Sequence, residues 1–227
     1  MREKILVSWS GGKDSTLALY EIIKDFDYEI VLLTTISEEY KRICMHGVRE
    51  SLLDKQAKSL GFKLEKVYIP PNATLSICDS IMQKVLAKYT REGFNSVVHG
   101  DIFLEDLKKY REDNLAKVGM KAIFPIWKRS SEELSNRFIE LGFKAIITCV
   151  DSKSLDKSFA GRIYDKKFVS QIPEGVDVCG ENGEFHSFVF DGCLFKEKLD
   201  FQIDKVVFRD KQFYFCDLTE RGEMAND

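Results

Sequence analysis

A doubly wound α/β fold, a parallel sheet followed by a smaller mixed α+β C-terminal lobe, is the class this sequence predicts, and three observations carry it. Strand-length apolar runs alternate with helix-length amphipathic segments from Lys4 to Val150. Those runs are continuous, as in parallel strands covered on both faces, rather than alternating. Past Val150 the rhythm breaks into a glycine-spaced stretch and two late strand segments. Strands and helices alternating at this spacing build a parallel sheet.

Lys4–Ser8 is a short apolar run stopped before a glycine pair and reads as a buried strand. Ser15–Lys24 follows as a helix with a broad apolar face of Leu17, Leu19, Tyr20, Ile22 and Ile23. Glu29–Thr35 is a β-branched second strand, and Val48–Leu60 is a helix closed by Gly61, a C-terminal cap signal. Lys63–Ile69 is a strand stopped by Pro70 and Pro71; Leu75–Arg91 is a helix ending near Gly93. Ser96–His99 is a strand running into Gly100 and Asp101, followed by a helix at Leu104–Val118 and a strand at Ala122–Phe124. Ser130–Leu141, Gly142 and Ala145–Val150 repeat helix, cap and strand once more. Phe201–Phe208 and Gln212–Asp217 read as an antiparallel pair, and Glu220–Asp227 as a frayed polar tail. The division expected is a nucleotide-binding domain at 1–130 and a substrate-binding lobe at 131–227.

Composition bounds the function without naming it. The 227 residues carry 34 Lys+Arg against 37 Asp+Glu, a net charge of −3, which offers no basic footprint for a nucleic-acid partner. At 44% hydrophobic and 31% charged, the chain can bury a core. No apolar run has the length of a membrane span, and the charged start lacks the apolar stretch of a secretory leader. The six cysteines include no C-x-x-C pair, which argues against zinc, iron–sulfur and thioredoxin motifs. A cytoplasmic protein with reduced thiols is expected.

The residues between the first strand and the first helix are the most informative. Ser10-Gly11-Gly12-Lys13-Asp14-Ser15 lies where open α/β sheets bind ligands. Two glycines allow close backbone approach to an anion, and the helix N-terminus adds its dipole. Ser10 and Ser15 supply hydroxyls and Lys13 a charge. Asp14 beside a phosphate is repulsive unless a cation intervenes, which points to Mg²⁺. A Walker A loop is excluded, because Val7 and Asp14 stand where it needs Gly and Ser/Thr.

This hexad resembles the PP-loop of the N-type ATP pyrophosphatases, a HUP-like fold. The resemblance extends through Met45-His46-Gly47, Val98-His99-Gly100-Asp101-Ile102 and Cys179-Gly180-Glu181-Asn182-Gly183-Glu184-Phe185-His186. Together these elements resemble the diphthine–ammonia ligase family over nearly the whole chain. The resemblance implies binding of ATP, attack of a substrate carboxylate on its α-phosphate, release of pyrophosphate, and displacement of AMP by ammonia. It implies that Ser10, Gly11, Gly12, Lys13 and Ser15 hold the pyrophosphate, that Asp14 and Asp101 support Mg²⁺, and that Gly100 faces the same cleft. It places the adenine near Thr34 and Thr35.

Glu181 and Glu184 are candidates to hold the amine or take its proton, with His186 sharing that duty; a hairpin turn with solvated acids is the plain alternative. Between structure and chemistry His46, His99 and Arg111 stay open, as does Arg162 as a carboxylate ligand. The family's best-understood members act on diphthine of elongation factor 2. Here G-E-N-G-E-F-H replaces their G-E-G-G-E-Y-E and resembles the bacterial branch, so diphthine, a small metabolite and a corrinoid acid all stay open. No glutamine-hydrolysing nucleophile is visible, which makes free ammonia the donor. The C-terminal hairpin leaves room for a homodimer. Two rival readings stand beside the ligase: a non-catalytic adenine-nucleotide sensor and a PP-loop tRNA-modifying enzyme.

Overall fold

The computed structural model describes residues 2–24 and 27–221. The predicted polar tail lies, from residue 222 onward, outside the described residues. In chain order the first sheet and its helices are β1 (Glu3–Ser8), α1 (Lys13–Ile23), β2 (Tyr28–Ser37), β3 (Arg42–Ile43), α2 (Glu50–Leu60), β4 (Lys63–Ile69), α3 (Leu75–Arg91), β5 (Ser96–Val98), α4 (Glu105–Ala116) and β6 (Lys121–Ile123). β1 is flanked in parallel by β2 and β5; β4 extends the sheet beyond β2, and β6 beyond β5. The chain therefore reverses its direction of strand addition at β1, which opens a crevice at the carboxyl ends of β1 and β5.

The remaining elements are α5 (Ser131–Glu140), β7 (Lys144–Asp151), α6 (Lys166–Val169), β8 (Phe185–Asp191), β9 (Gln202–Arg209) and β10 (Phe213–Thr219). They build a second sheet, antiparallel throughout, in the order β8-β7-β10-β9.

Three expectations are corrected. Ala145–Val150 does not continue the parallel sheet. It is β7, with antiparallel neighbours on both sides, and that central position makes it as continuously apolar as a parallel strand. The Gly180–His186 element is more than the hairpin turn of the plain alternative: its last two residues, Phe185 and His186, open β8. β2 runs two residues beyond the expected end at Thr35, to Ser37 and past the end of β1, with Thr34 and Thr35 opposite Lys66 and Val67. On that overhang the two-residue β3 folds back in antiparallel.

The helix boundaries follow the local chemistry. Gly61 ends α2 at φ +80 and donates its N–H to Ala57 and Lys58 carbonyls, a left-handed cap that a side chain resists. Thr74 caps α3 by accepting from the Ile77 N–H.

The two sheets share a core. Ile5, Val7 and Trp9 from the β1 end, Leu52 and Leu53 of α2, and Phe188, Phe190 and Leu218 of the second sheet form one buried cluster. Asp217 on β10 adds a polar clamp, 2.7 Å from Arg42 and 2.8 Å from Arg49. Among the described residues, no helix is long and apolar enough to cross a membrane.

Candidate active site

The loop after β1 is held open by its neighbours. Gly11 has φ +72, and a Cβ there would stand 2.8 Å from Gln56 Oε1. Gln56, fully buried, accepts from Trp9 Nε1 at 2.8 Å and donates to the carbonyls of Gly11 (3.0 Å) and Val189 (2.6 Å). The Val189 N–H closes the arrangement by donating to Gly11 O at 2.9 Å. The Lys13 N–H donates to Ser187 Oγ at 3.2 Å, so β8 of the second sheet braces the loop at two points. Gly12 has no side chain to cap α1, so apart from the Lys13 N–H the first turn keeps N–H groups for a ligand.

Gly100 brings the β5 loop against this helix. A Cβ there would meet the backbone of Asp14 and Ser15 at 2.8–2.9 Å. Gly100→Ala is therefore expected to cost about 1–3 kcal/mol by overpacking. A lowered urea midpoint with unchanged slope checks this, and an unchanged midpoint contradicts the close approach.

Two joined chambers lie above the loop. The smaller, about 200 Å³, is lined by Ser10, Gly12, Lys13, Asp14 and Ser15 from the loop and α1. Gly100, Asp101 and Arg111 close one side, His46 another, and Glu181 and His186 the roof. The larger, about 590 Å³, is mainly apolar and is lined by Leu33, Thr34, Thr35, Ile69, Met82 and His99 among others. Ser10, His46, Arg111 and His186 border both. Thr34 Oγ1 and both ring nitrogens of His99 are buried without a hydrogen-bond partner, so this apolar chamber presents polar groups that only a ligand or water would satisfy.

The electrostatics sort the groups. The Lys13 ammonium sits 2.8 Å from both Asp14 oxygens, contacts the Cys179 carbonyl, and lies over the Tyr164 and Phe185 rings. Burial works against its charge, but Asp14, with Cys179 and Asp177, outweighs that and holds its pKa above the ordinary lysine value. Asp101 is buried and ion-paired to Arg111, Oδ2 to Nε at 2.6 Å. Glu181 accepts from the Ile102 N–H at 2.7 Å. Burial, reinforced by Asp14 and Asp101, raises its carboxyl to about 7. His46 and His186 stack with ring centroids 4.3 Å apart. Burial lowers His46 to about 4 and His186 well below its ordinary value, so both are neutral imidazoles at pH 7.

Glu184 is placed differently from the expectation. It is buried, outside both chamber linings, and its oxygens accept from Asp177 N (3.1 Å), Asn182 N (3.0 Å) and Asn182 Nδ2 (2.9 Å). It shapes the 177–184 loop that carries Glu181. Arg162 also misses the cleft: its guanidinium lies over Phe159 and Phe168 and donates to Gln171. Ser187 and Gln56 were not singled out in the sequence. Each is an ordinary polar residue whose role appears only when the second sheet meets the loop.

Among the described residues, no three His, Cys, Asp or Glu side chains are grouped to hold a metal ion by themselves. Asp14 and Asp101 bordering a phosphate-sized chamber are instead the donors suited to Mg²⁺ arriving with a nucleotide, since that ion uses one or two carboxylates plus phosphate oxygens.

Residues 3–122 match the family model of the diphthamide synthase N-terminal domain, and residues 130–221 that of its C-terminal domain. The chain belongs to the diphthamide synthase family. Curated relatives include the human diphthine–ammonia ligase, 30% identical and aligned over 91% of this chain and 85% of its own length. The mouse diphthine–ammonia ligase is 26% identical over 88% and 82%. A solved structure from Methanocaldococcus jannaschii, described as a predicted subunit of tRNA methyltransferase, aligns with TM-score 0.45 and 17% identity over 87% of this chain and 100% of its own.

Proposed function

We propose that this diphthamide synthase family member is an ATP-dependent, AMP-forming carboxylate–ammonia ligase. The observation that carries the reading is the pair of joined chambers: a polar one built on a helix N-terminus and an apolar one with unsatisfied polar groups, the shape of a triphosphate site continuous with a nucleoside site. Residues 1–130 supply the ATP-binding unit, and residues 131–227 the lobe that roofs it and receives the second substrate.

The groups have distinct tasks in this reading. The first-turn N–H groups of α1, Ser10, Ser15 and Lys13 hold the β- and γ-phosphates and stabilise charge on the leaving pyrophosphate. Asp14 and Asp101 would hold Mg²⁺, which when bound would neutralise charge on the triphosphate. Arg111 fixes Asp101. Thr34 and His99 meet the nucleoside, with Thr35 beside them. An oxygen of the substrate carboxylate bonds to the α-phosphorus as the bond to pyrophosphate breaks. Ammonia then adds to the acyl carbon, its proton passes to the Glu181 carboxylate, and AMP leaves with the C–O electron pair. Glu181, with a pKa of about 7, is matched to taking that proton near neutral pH. His46 and His186, neutral and stacked, border both chambers where the α-phosphate would pass.

The test is isotope exchange between pyrophosphate and ATP, with a panel of carboxylates and no ammonia. Exchange dependent on an acid is the expected result. Nucleotide binding without exchange for any acid would favour a non-catalytic sensor.

A further inference from the structure

His46 sits on a loop that leaves it little freedom. The loop turns tightly after β3: Met45 has φ +67 and Gly47 φ +71, and the Gly47 N–H donates to the Ile43 carbonyl at 3.2 Å. Arg42 Nη1 donates to the Gly47 carbonyl at 2.7 Å, and Phe215 fills the space that a side chain at Gly47 would need. The His46 ring lies on the His186 ring of β8, with centroids 4.3 Å apart and planes 34° off parallel. Elements of both sheets therefore fix the plane of this imidazole.

Its tautomer is fixed as well. His46 Nδ1 is 3.3 Å from the Cys44 carbonyl, which can only accept, so Nδ1 carries the proton. Burial keeps the ring uncharged at pH 7, and a neutral imidazole has one N–H. Nε2 is left as a bare lone pair. It has no hydrogen-bond partner among the described residues, and the His186 ring, stacked on its face, does not reach that in-plane lone pair.

The place of the lone pair decides what it meets. His46 borders the small polar chamber and the apolar one alike. A nucleotide with its phosphates in the first and its base in the second crosses this border with its ribose and α-phosphate. Phosphate oxygens are acceptors and are repelled by a lone pair, whereas a ribose hydroxyl donates to it. Resting on the nucleotide-binding part of the ligase reading, we propose that His46 Nε2 accepts a hydrogen bond from a ribose hydroxyl of ATP, so that His46 selects the intact ribose over a deoxy sugar.

The test is calorimetric titration of ATP, 2′-deoxyATP and 3′-deoxyATP, each with Mg²⁺, into the full chain without acid or ammonia. One of the deoxy analogues is expected to bind about tenfold more weakly than ATP, the cost of leaving such an acceptor unpaired. His46→Phe keeps a stacked ring and loses the acceptor, so it should bind ATP and that analogue equally. His46→Gln, whose amide oxygen can take the place of Nε2, should restore most of the preference. The chain has three histidines, so ¹⁵N spectra of histidine-labelled wild type resolve the ring without any substitution. They should show a protonated Nδ1 and an unprotonated Nε2 on His46, with the Nε2 signal moving on addition of ATP and much less with the weaker analogue. Equal binding of the three nucleotides to the wild type, a preference that survives in His46→Phe, or a protonated Nε2 would overturn the proposal. Absence of ATP binding would overturn it together with the nucleotide reading. The expected preference without pyrophosphate–ATP exchange for any acid counts against the ligase and leaves the ribose contact standing.

Discussion

Replacing Glu181 by Gln is expected to slow amide formation by about 10²–10⁴-fold, the range for losing a positioned proton acceptor, while pyrophosphate–ATP exchange stays within a few-fold of the wild type. Adenylation needs no base, whereas the nitrogen must shed a proton after it bonds to carbon. The carboxylate is the working form, so kcat/KM expressed per free NH3, after correction for the ammonium equilibrium, should rise with pH through about 7 in the wild type and then level. Gln should erase that rise. Equal losses of exchange and amide formation would instead place Glu181 in phosphate or metal binding. Stability supplies an independent check. The folded-state pKa is raised from 4.5, so the stability tied to the protonated carboxyl is fully present below the unfolded value and is lost as pH rises through about 7. Glu181→Gln should therefore melt above the wild type at pH 8 and together with it at pH 4.

Gln56→Leu is expected to destabilise the protein by about 3 kcal/mol, because it orphans the buried Trp9 indole N–H and removes two further bonds at once. For a chain of this size that lowers Tm by roughly 6–12 °C. The same change loosens Gly11 from β8, so KM for ATP should rise at least tenfold while the pH dependence attributed to Glu181 is retained. Differential scanning calorimetry and ATP saturation curves check both parts. An unchanged KM would mean that the loop holds its shape without this brace.

What could be read from the sequence was whatever is encoded locally. Of the five helices of the alternating part, α2 stops at Gly61 and α3 starts at Thr74, boundaries that chain chemistry dictates. The phosphate loop was legible because a glycine pair, a lysine and two serines at a strand-to-helix turn have few other uses. Features set by long-range pairing were not legible. A strand in the middle of an antiparallel sheet is covered on both faces, so Lys144–Asp151 reads like the parallel strands before it. The two-residue β3 is too short for any periodicity. Glu181 and Glu184 are indistinguishable as letters; only the fold turns one toward the small chamber and the other into its own loop. Gln56 looks like any polar residue on an amphipathic helix until Trp9, Gly11 and Val189 converge on it.

Oxygen transfer tests the central claim most directly. The acid that best supports exchange, labelled with ¹⁸O in both carboxylate oxygens, is incubated with ATP, Mg²⁺ and ammonium, and the products are weighed by mass spectrometry. Attack on the α-phosphate predicts one ¹⁸O in the phosphate of AMP, unlabelled pyrophosphate and one ¹⁸O kept in the amide. Label in inorganic phosphate with ADP formed, or AMP carrying no label, would contradict the adenylating ligase built from these residues.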